Sequence, residues 1–398
     1  MKYTIKHFMA ADGERFSQLY DAQAGGFPLY YPTAYIARSV RPRCTHGTQK
    51  VHLEAIKRVS EWESEQELAL DERFQTKEFL RQFEIDKLVR HLAASRRSST
   101  GEGISRHKAN TYIMYAAAYL RWLANEVISD VNADVKAAID QQHEAMLSTL
   151  SRKRGSSSAR KQHIYSIHLP EDTSQALLNL FEEPLLGVQK YADKGPRIRN
   201  VIMLRILYET GMRRGELLSL KLQNFIESIG GESAKLKIER NHHDQFDSRV
   251  QQPVAKTLGR FANISAETER WLIAYRDCWR PSTDNEFLFL NHRKGRYQGM
   301  PVSETGFNSA LEKLKDIIPA LRPLHPHLLR HDWNYRFSQK ADKEMLEFET
   351  ERTLREMLMG WAPNSSMSLI YNQRHIQKQA NAIGNMIAAD SAKKDIRK

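Results

Sequence analysis

Two cysteines, Cys44 and Cys278, are the whole complement of this 398-residue chain. Lying so far apart, they exclude a disulfide framework and a cysteine-based zinc site. No stretch reaches the roughly 18 consecutive apolar residues of a membrane span. The opening Met1-Lys2-Tyr3-Thr4-Ile5-Lys6-His7 lacks the apolar core and small-residue cleavage site of a secretory signal. The expectation is therefore a cytoplasmic protein. Glycine-rich phosphate loops are missing too, in both the Gly-x-Gly-x-x-Gly and the Gly-Lys-Ser/Thr forms, which argues against nucleotide use. Acidic residues are in deficit, with 48 Asp and Glu against 60 Lys and Arg, for a formal net charge of +12. That imbalance favours a polyanionic partner, either nucleic acid or an anionic membrane surface. What is present suffices for folded cores: 41% of residues are hydrophobic and 9% aromatic, so wholesale disorder is excluded. The length suggests two or three domains.

Residues 1–48 are poorly periodic and read as an N-terminal extension. From Thr48 the pattern is helical, with Val51, Leu53, Ile56, Val59 and Trp62 compatible with one helix face. A second helical stretch through Phe79 to Leu92 ends at the polar loop that begins at Ser95. The clearest helix runs from about Lys108 to Val127, with an aromatic stripe (Tyr112, Tyr115, Tyr119) that reads as core packing. After one more helix, residues 151–164 form a serine-rich basic linker carrying Arg152, Lys153, Arg154, Arg160 and Lys161. Such a run is either a solvated tether or a contact with phosphates. Residues 165–398 mix helices with two short strand candidates, at 235–238 and 259–264. The fold class is thus mostly α with a small antiparallel β-sheet (α+β).

Three segments carry chemistry. In Thr210-Gly211-Met212-Arg213-Arg214-Gly215-Glu216-Leu217 a helix meets a glycine suited to a left-handed cap, and a new helix starts. The turn projects Arg213 from a fixed position, and Glu216 suits the new helix's N-terminus. In His325-Pro326-His327-Leu328-Leu329-Arg330-His331 the positions 327, 330 and 331 share one helical face. His327 and His331 have the spacing of a zinc pair, but Arg330 beside them opposes a dication, and no third ligand stands at motif spacing. Two imidazoles and a guanidinium suit an anion better. Third comes Gly360-Trp361, followed after a loop by Tyr371.

In that order, these segments resemble the tyrosine recombinase (phage integrase) family. Its pattern is Thr-Gly-x-Arg-x-x-Glu-Leu, a hairpin lysine, His-x-x-Arg-His, a Gly-His/Trp, then a tyrosine. Here it reads Arg213 with Glu216, then Lys256 in Lys256-Thr257-Leu258-Gly259-Arg260, then His327, Arg330 and His331, then Gly360-Trp361, then Tyr371. Trp361 stands where histidine is commoner, and its separation from Tyr371 is one residue longer than usual. The resemblance covers roughly residues 165–385. More loosely it extends to residues 49–150, which look like a helical core-site DNA-binding domain, so that with the catalytic domain the chain would form a C-shaped clamp.

The resemblance implies DNA strand cleavage and rejoining through a 3′-phosphotyrosyl bond, with Tyr371 as nucleophile and neither cofactor nor metal required. Arg213 and Arg330 would clamp the non-bridging phosphate oxygens. His327 would donate to an oxygen or relay a proton, and Trp361 would donate its indole N–H. Lys256 would protonate the leaving 5′-oxygen. Glu216 would orient Arg213 or cap its helix, and His331 would support the Arg330 face. The implied partners are double-stranded DNA, three further copies of the chain in a tetramer on paired sites, and an accessory directionality factor. The setting would be the nucleoid of a bacterium and the task that of a mobile element. A type IB topoisomerase and a non-cutting DNA-binding regulator are the alternative readings.

Overall fold

The computed structural model describes residues 2–23, 25–95, 103–150 and 164–395. Arg152, Lys153, Arg154, Arg160 and Lys161 of the basic linker lie outside the described residues. The chain divides into two compact units: residues 1–154 with 243–245, and residues 155–242 with 246–398. Among the described residues no helix is long and apolar enough to cross a membrane.

The first unit opens with an antiparallel hairpin of β1 (Tyr3–Met9) and β2 (Arg15–Asp21), in which Tyr3 faces Asp21 and Met9 faces Arg15. It continues through α1 (Tyr30–Tyr35), α2 (His46–Glu65), α3 (Leu70–Gln75), α4 (Gln82–Ala93), α5 (Arg106–Val127) and α6 (Ala133–Ser148). Tyr3, Leu19, Tyr35 and Val40 enter the same core as Leu53, Ile56, Leu88, Leu120 and Ile139. Residues 1–48 are therefore not an appended extension but part of this core. Their periodicity is hidden because the buried face of β2 is mostly polar: Arg15, Ser17 and Asp21 alternate with half-exposed neighbours. On α5, Tyr112 and Tyr119 are buried, as the core reading of the stripe requires, while Tyr115 stacks on His52 with ring centroids 3.6 Å apart.

The second unit contains α7 (Glu171–Glu182), α8 (Tyr191–Thr210) and the short α9 (Arg214–Leu218). A three-stranded antiparallel sheet follows, ordered β3 (Phe225–Ile226), β4 (Lys235–Ile238), β5 (Arg260–Asn263), with Leu236 opposite both Phe225 and Ala262. Then come α10 (Ala266–Ala274), α11 (Glu304–Ile317), α12 (Pro326–Lys343), α13 (Phe348–Met359) and α14 (Ser366–Asp395). Both strand candidates are strands; β3, only two residues long, gives no periodic signal. The architecture is mostly helical with small antiparallel sheets.

Helix α8 is the axis of this unit. Ile198, Val201, Ile202, Leu204, Ile206 and Leu207 are buried around its circumference, the pattern of a helix enclosed on all sides. Pro196, normally a stop signal, lies inside it. Its last carbonyls lack intrahelical donors, and α12 supplies them. Arg336 Nη2 donates to Tyr208 O at 2.6 Å, Trp333 Nε1 to Glu209 O at 2.8 Å, and Arg330 Nη1 to Gly211 O at 2.7 Å. Gly211 ends the helix with φ +61°, and a Cβ there would stand 2.8 Å from the Trp333 ring. Backbone and space thus both demand glycine. Gly211→Ala is expected to destabilise the protein by more than about 1 kcal/mol, read as a lowered midpoint in urea; an unchanged midpoint would contradict this account of the turn.

Candidate active site

The site is built where α9, the β4–β5 loop, α12 and the start of α14 meet within the second unit. Arg213 is the N-cap of α9. Its backbone N–H donates to Glu216 Oε2 at 3.0 Å, and its Nη1 lies 3.3 Å from Glu216 Oε1. Glu216 is fully buried, yet it caps more than its own helix. Thr257 Oγ1 donates to it at 2.7 Å and Arg260 Nη2 at 2.8 Å. Burial alone would raise this carboxyl, but Arg260, the Arg213 backbone N–H and Arg330 outweigh it and hold it at about 2.

These bonds position Lys256. The residue is exposed in the long loop between β4 and β5, while its neighbours Ala255 and Thr257 are buried. With both neighbours turned inward, the lysine side chain is left on the open face. Beyond Thr257, Leu258 N donates to Gly360 O at 2.9 Å, tying the loop to the end of α13. Gly360 has φ +65°, and a Cβ there would sit 2.8 Å from Leu258 O. Lysine loop and tryptophan turn thus touch backbone to backbone.

Arg330 points from α12 into the interior and is 3% exposed. One nitrogen, Nη1, is spent on Gly211 O; the other, Nη2, is buried without a partner. Its guanidinium lies over the Trp361 ring, 5.4 Å from the centroid. Burial, with Arg213 next, pulls Arg330 down to about 9, still charged at neutral pH but poorly solvated. Trp361 is 7% exposed, and its Nε1 is likewise buried without a partner. The ring stacks on Tyr371 at 5.9 Å and 13°. Two strong donors in a cationic, half-closed pocket are left for an acceptor from outside, since a buried donor without one is costly.

Tyr371 is 1% exposed, and its Oη lies 2.6 Å from His331 Nδ1. Burial raises Tyr371 to about 12, against the opposing pull of Arg330, Arg355 and Arg213. His331 is lowered to about 4 by burial and then by His327, His325 and Arg330. His327 lies at the surface, its ring 4.7 Å from that of His331, and it too is lowered, by partial desolvation of its inner side and then by Arg330. The loop before Tyr371 is pinned by Glu356, which accepts from Ser365 N at 3.1 Å and Ser368 Oγ at 2.5 Å. The turn passes through Asn364 at φ +61°, a conformation asparagine tolerates.

Arg213, Glu216, Arg330, His331, Trp361 and Tyr371 thus converge, with Lys256 and His327 at the exposed margin. Sequence reasoning missed Arg260 and Thr257 as the second half of the Glu216 cluster, although both stand in the Lys256 motif. It also missed the layer beneath Tyr371. Arg355 is fully buried, 5.4 Å from the Tyr371 ring centroid; it donates to Asn334 O at 3.0 Å and to Ser338 Oγ at 2.8 Å, and pairs with Glu351. Arg374 and His375, one turn beyond the tyrosine, bond the same Glu351. Among the described residues, Asp342, Glu351 and His375 are the group whose ligand atoms approach a metal-site spacing. Arg374 and Arg355 already neutralise it.

Residues 169–377 match the model of the phage integrase family, more than half of the chain. The chain belongs to the phage integrase family. It is 27% identical over 167 residues to the tyrosine recombinase XerC of Oceanobacillus iheyensis, covering 42% of this chain and 49% of that protein. To the tyrosine recombinase XerD of Halalkalibacterium halodurans it is 29% identical over 141 residues, covering 34% and 39%. The chain spans about half the length, or less, of these curated relatives. A solved structure, the XerH site-specific recombinase bound to a palindromic difH substrate in a post-cleavage complex, aligns with a TM-score of 0.48 and 18% identity over 75% of this chain and 71% of that one.

The Glu216 cluster predicts a pH signature. A carboxyl held at about 2 when folded contributes stability that is complete above the ordinary carboxylate range and is lost as pH falls toward 2. Glu216→Gln should cost about 3–5 kcal/mol at pH 7, because it leaves Arg260 buried and unpaired. The difference from the parent protein should shrink between pH 5 and about pH 2 in denaturant titrations. A difference independent of pH would show that the charge of Glu216 does not hold the cluster.

Proposed function

We propose that this chain is a DNA strand transferase, a site-specific tyrosine recombinase in which Tyr371 attacks a backbone phosphodiester. The observation that carries the reading is the pair of buried, unpartnered donors, Arg330 Nη2 and Trp361 Nε1, in the pocket around the Tyr371 ring. They match an incoming oxyanion bearing two non-bridging oxygens, and donors already in place need no reorganisation as charge builds during attack. Arg213, fixed by Glu216 at the N-cap of α9, adds a second guanidinium from a partly exposed position. Lys256 stands on the open side as the acid for the departing 5′-oxygen, and His327 at the margin donates to the phosphate.

In the step so written, the Tyr371 Oη–phosphorus bond forms as the bond to the 5′-oxygen breaks. A 3′-phosphotyrosyl ester results, and the energy of the diester is kept for rejoining, so the reaction calls for neither ATP nor a metal. By the same reading the partner is duplex DNA, held by the first unit and the basic linker as well as by the second unit. Exchange between two duplexes takes four active sites and hence a tetramer. The exposed Ile383, Met386 and Ile387 near the end of α14 are the surface by which neighbouring protomers would join. Integration or excision of a bacterial mobile element, with an accessory factor setting direction and the nucleoid as the setting, completes the proposal.

Incubation with fragmented genomic DNA, arrest in SDS and sequencing of the attached ends tests the reading and recovers the site. Tyr371→Phe is expected to abolish the adduct while duplex affinity changes little. Arg330→Ala should slow cleavage at least about a hundredfold, the usual cost of losing one such donor. Covalent attachment by the phenylalanine variant would move the nucleophile elsewhere. Adduct formation should persist in excess EDTA; loss that zinc or magnesium restores would assign the chemistry to a metal. On a nicked site, joining of two duplexes marks a recombinase and relaxation alone a topoisomerase, while binding without any adduct marks a regulator.

A further inference from the structure

We propose that His331, one residue beyond Arg330, is the general base that takes the proton from Tyr371 as its oxygen attacks phosphorus. The proposal rests on the reading of Tyr371 as nucleophile and adds an assignment for the proton. Its foundation is a contact: His331 Nδ1 stands 2.6 Å from Tyr371 Oη, within the reach a proton transfer requires. His327, the other histidine of this helical face, is exposed and meets the His331 ring.

The direction of the hydrogen bond follows from the two groups. Tyr371, raised to about 12 by burial, keeps its proton at neutral pH, and the phenol is therefore the donor. His331, lowered to about 4, is neutral, so Nδ1 is the acceptor and the ring hydrogen sits on Nε2. The surroundings explain why the pair rests in this state. His325, His327 and Arg330 face His331 from its own helix and Arg213 acts from the α9 turn, while Arg355 of α13 lies under Tyr371. Glu351 pairs with Arg355 and Glu216 with Arg213, but the groups that act on His331 itself are cationic or imidazole, and an imidazolium is disfavoured. A phosphodiester bound between Arg330 and Trp361 brings the missing negative charge and makes His331 a better base. Transfer is therefore coupled to occupancy of the site: in the absence of DNA the nucleophile stays protonated.

The step balances. As the Oη–phosphorus bond forms, the Oη proton passes to His331 Nδ1; as the phosphorus–O5′ bond breaks, the 5′-oxygen takes a proton from Lys256. Rejoining returns both protons, and no oxidant, reductant or further reactant enters.

Two measurements on the full-length protein test the assignment. The first needs no DNA: nitrogen-15 spectra of histidine-labelled protein should show His331 as the neutral Nε2–H tautomer, with an Nδ1 signal that shifts in Tyr371→Phe. An Nδ1–H tautomer, or a signal indifferent to Tyr371, would overturn the proposal. The second is single-turnover cleavage of a nicked duplex built on the site recovered from the genomic adduct. His331→Gln offers an oxygen to the tyrosine but cannot take its proton. Cleavage at pH 7 should fall about a hundredfold or more, and the deficit should narrow as pH rises and phenolate forms without help. His327→Gln should instead give a deficit that does not narrow. Cleavage by His331→Gln within about threefold of the parent, or a deficit of constant size across pH, would leave His331 as a packing residue. Failure of the underlying reading looks different: Tyr371→Phe would still form an adduct.

Discussion

Three guanidiniums act on one buried carboxylate, and most of the site's arrangement answers to that imbalance. Glu216 meets Arg260 fully and Arg213 in part, and feels Arg330 across the pocket. A carboxylate with no exposed surface could not remain charged without such partners. It is also the point through which the α9 turn and the lysine loop are joined, since Thr257 and Arg260 bond it from the loop. Arg330 is the cation left over. Its desolvation is only partly relieved by Gly211 O, and its second nitrogen has nothing to donate to. A pocket with this residual charge is stabilised by an anion that brings oxygens of its own.

Behind the pocket lies a second charged layer with a different task. Glu351 binds Arg355 from its own helix and Arg374 and His375 from the helix that carries Tyr371. Arg355 in turn reaches Asn334 and Ser338 on α12. The tyrosine helix is thus fastened on both sides of Tyr371, by Glu356 ahead of it and by Glu351 one turn beyond. A tyrosine held on three helices has little freedom left to lose, and in the proposed attack such positioning would contribute to the rate.

Much of this was legible in the amino-acid order, and what was not has physical reasons. The glycine turn before Arg213, the shared face of His327, Arg330 and His331, and the strands around Lys256 are local features, written in spacing and residue type. The N-terminal hairpin was not legible because its inward positions are polar, so no apolar alternation marks β2. Arg355 and Glu351 stand four residues apart, which reads equally as a solvated pair on a helix surface; burial comes from tertiary packing that the sequence does not display. His331 shows the limit most clearly. Its face could be read, but which side chain stands against Tyr371 depends on how α14 lies across α12, and that is set by the Glu351 and Glu356 contacts rather than by local pattern.

The claim beneath all of this is that Tyr371 is the atom source of a covalent bond to DNA. Digestion of the trapped protein–DNA adduct with nuclease and protease, followed by tandem mass spectrometry, reads it directly. The account predicts a nucleotide remnant attached through phosphate to Tyr371. A remnant on any other residue would contradict it.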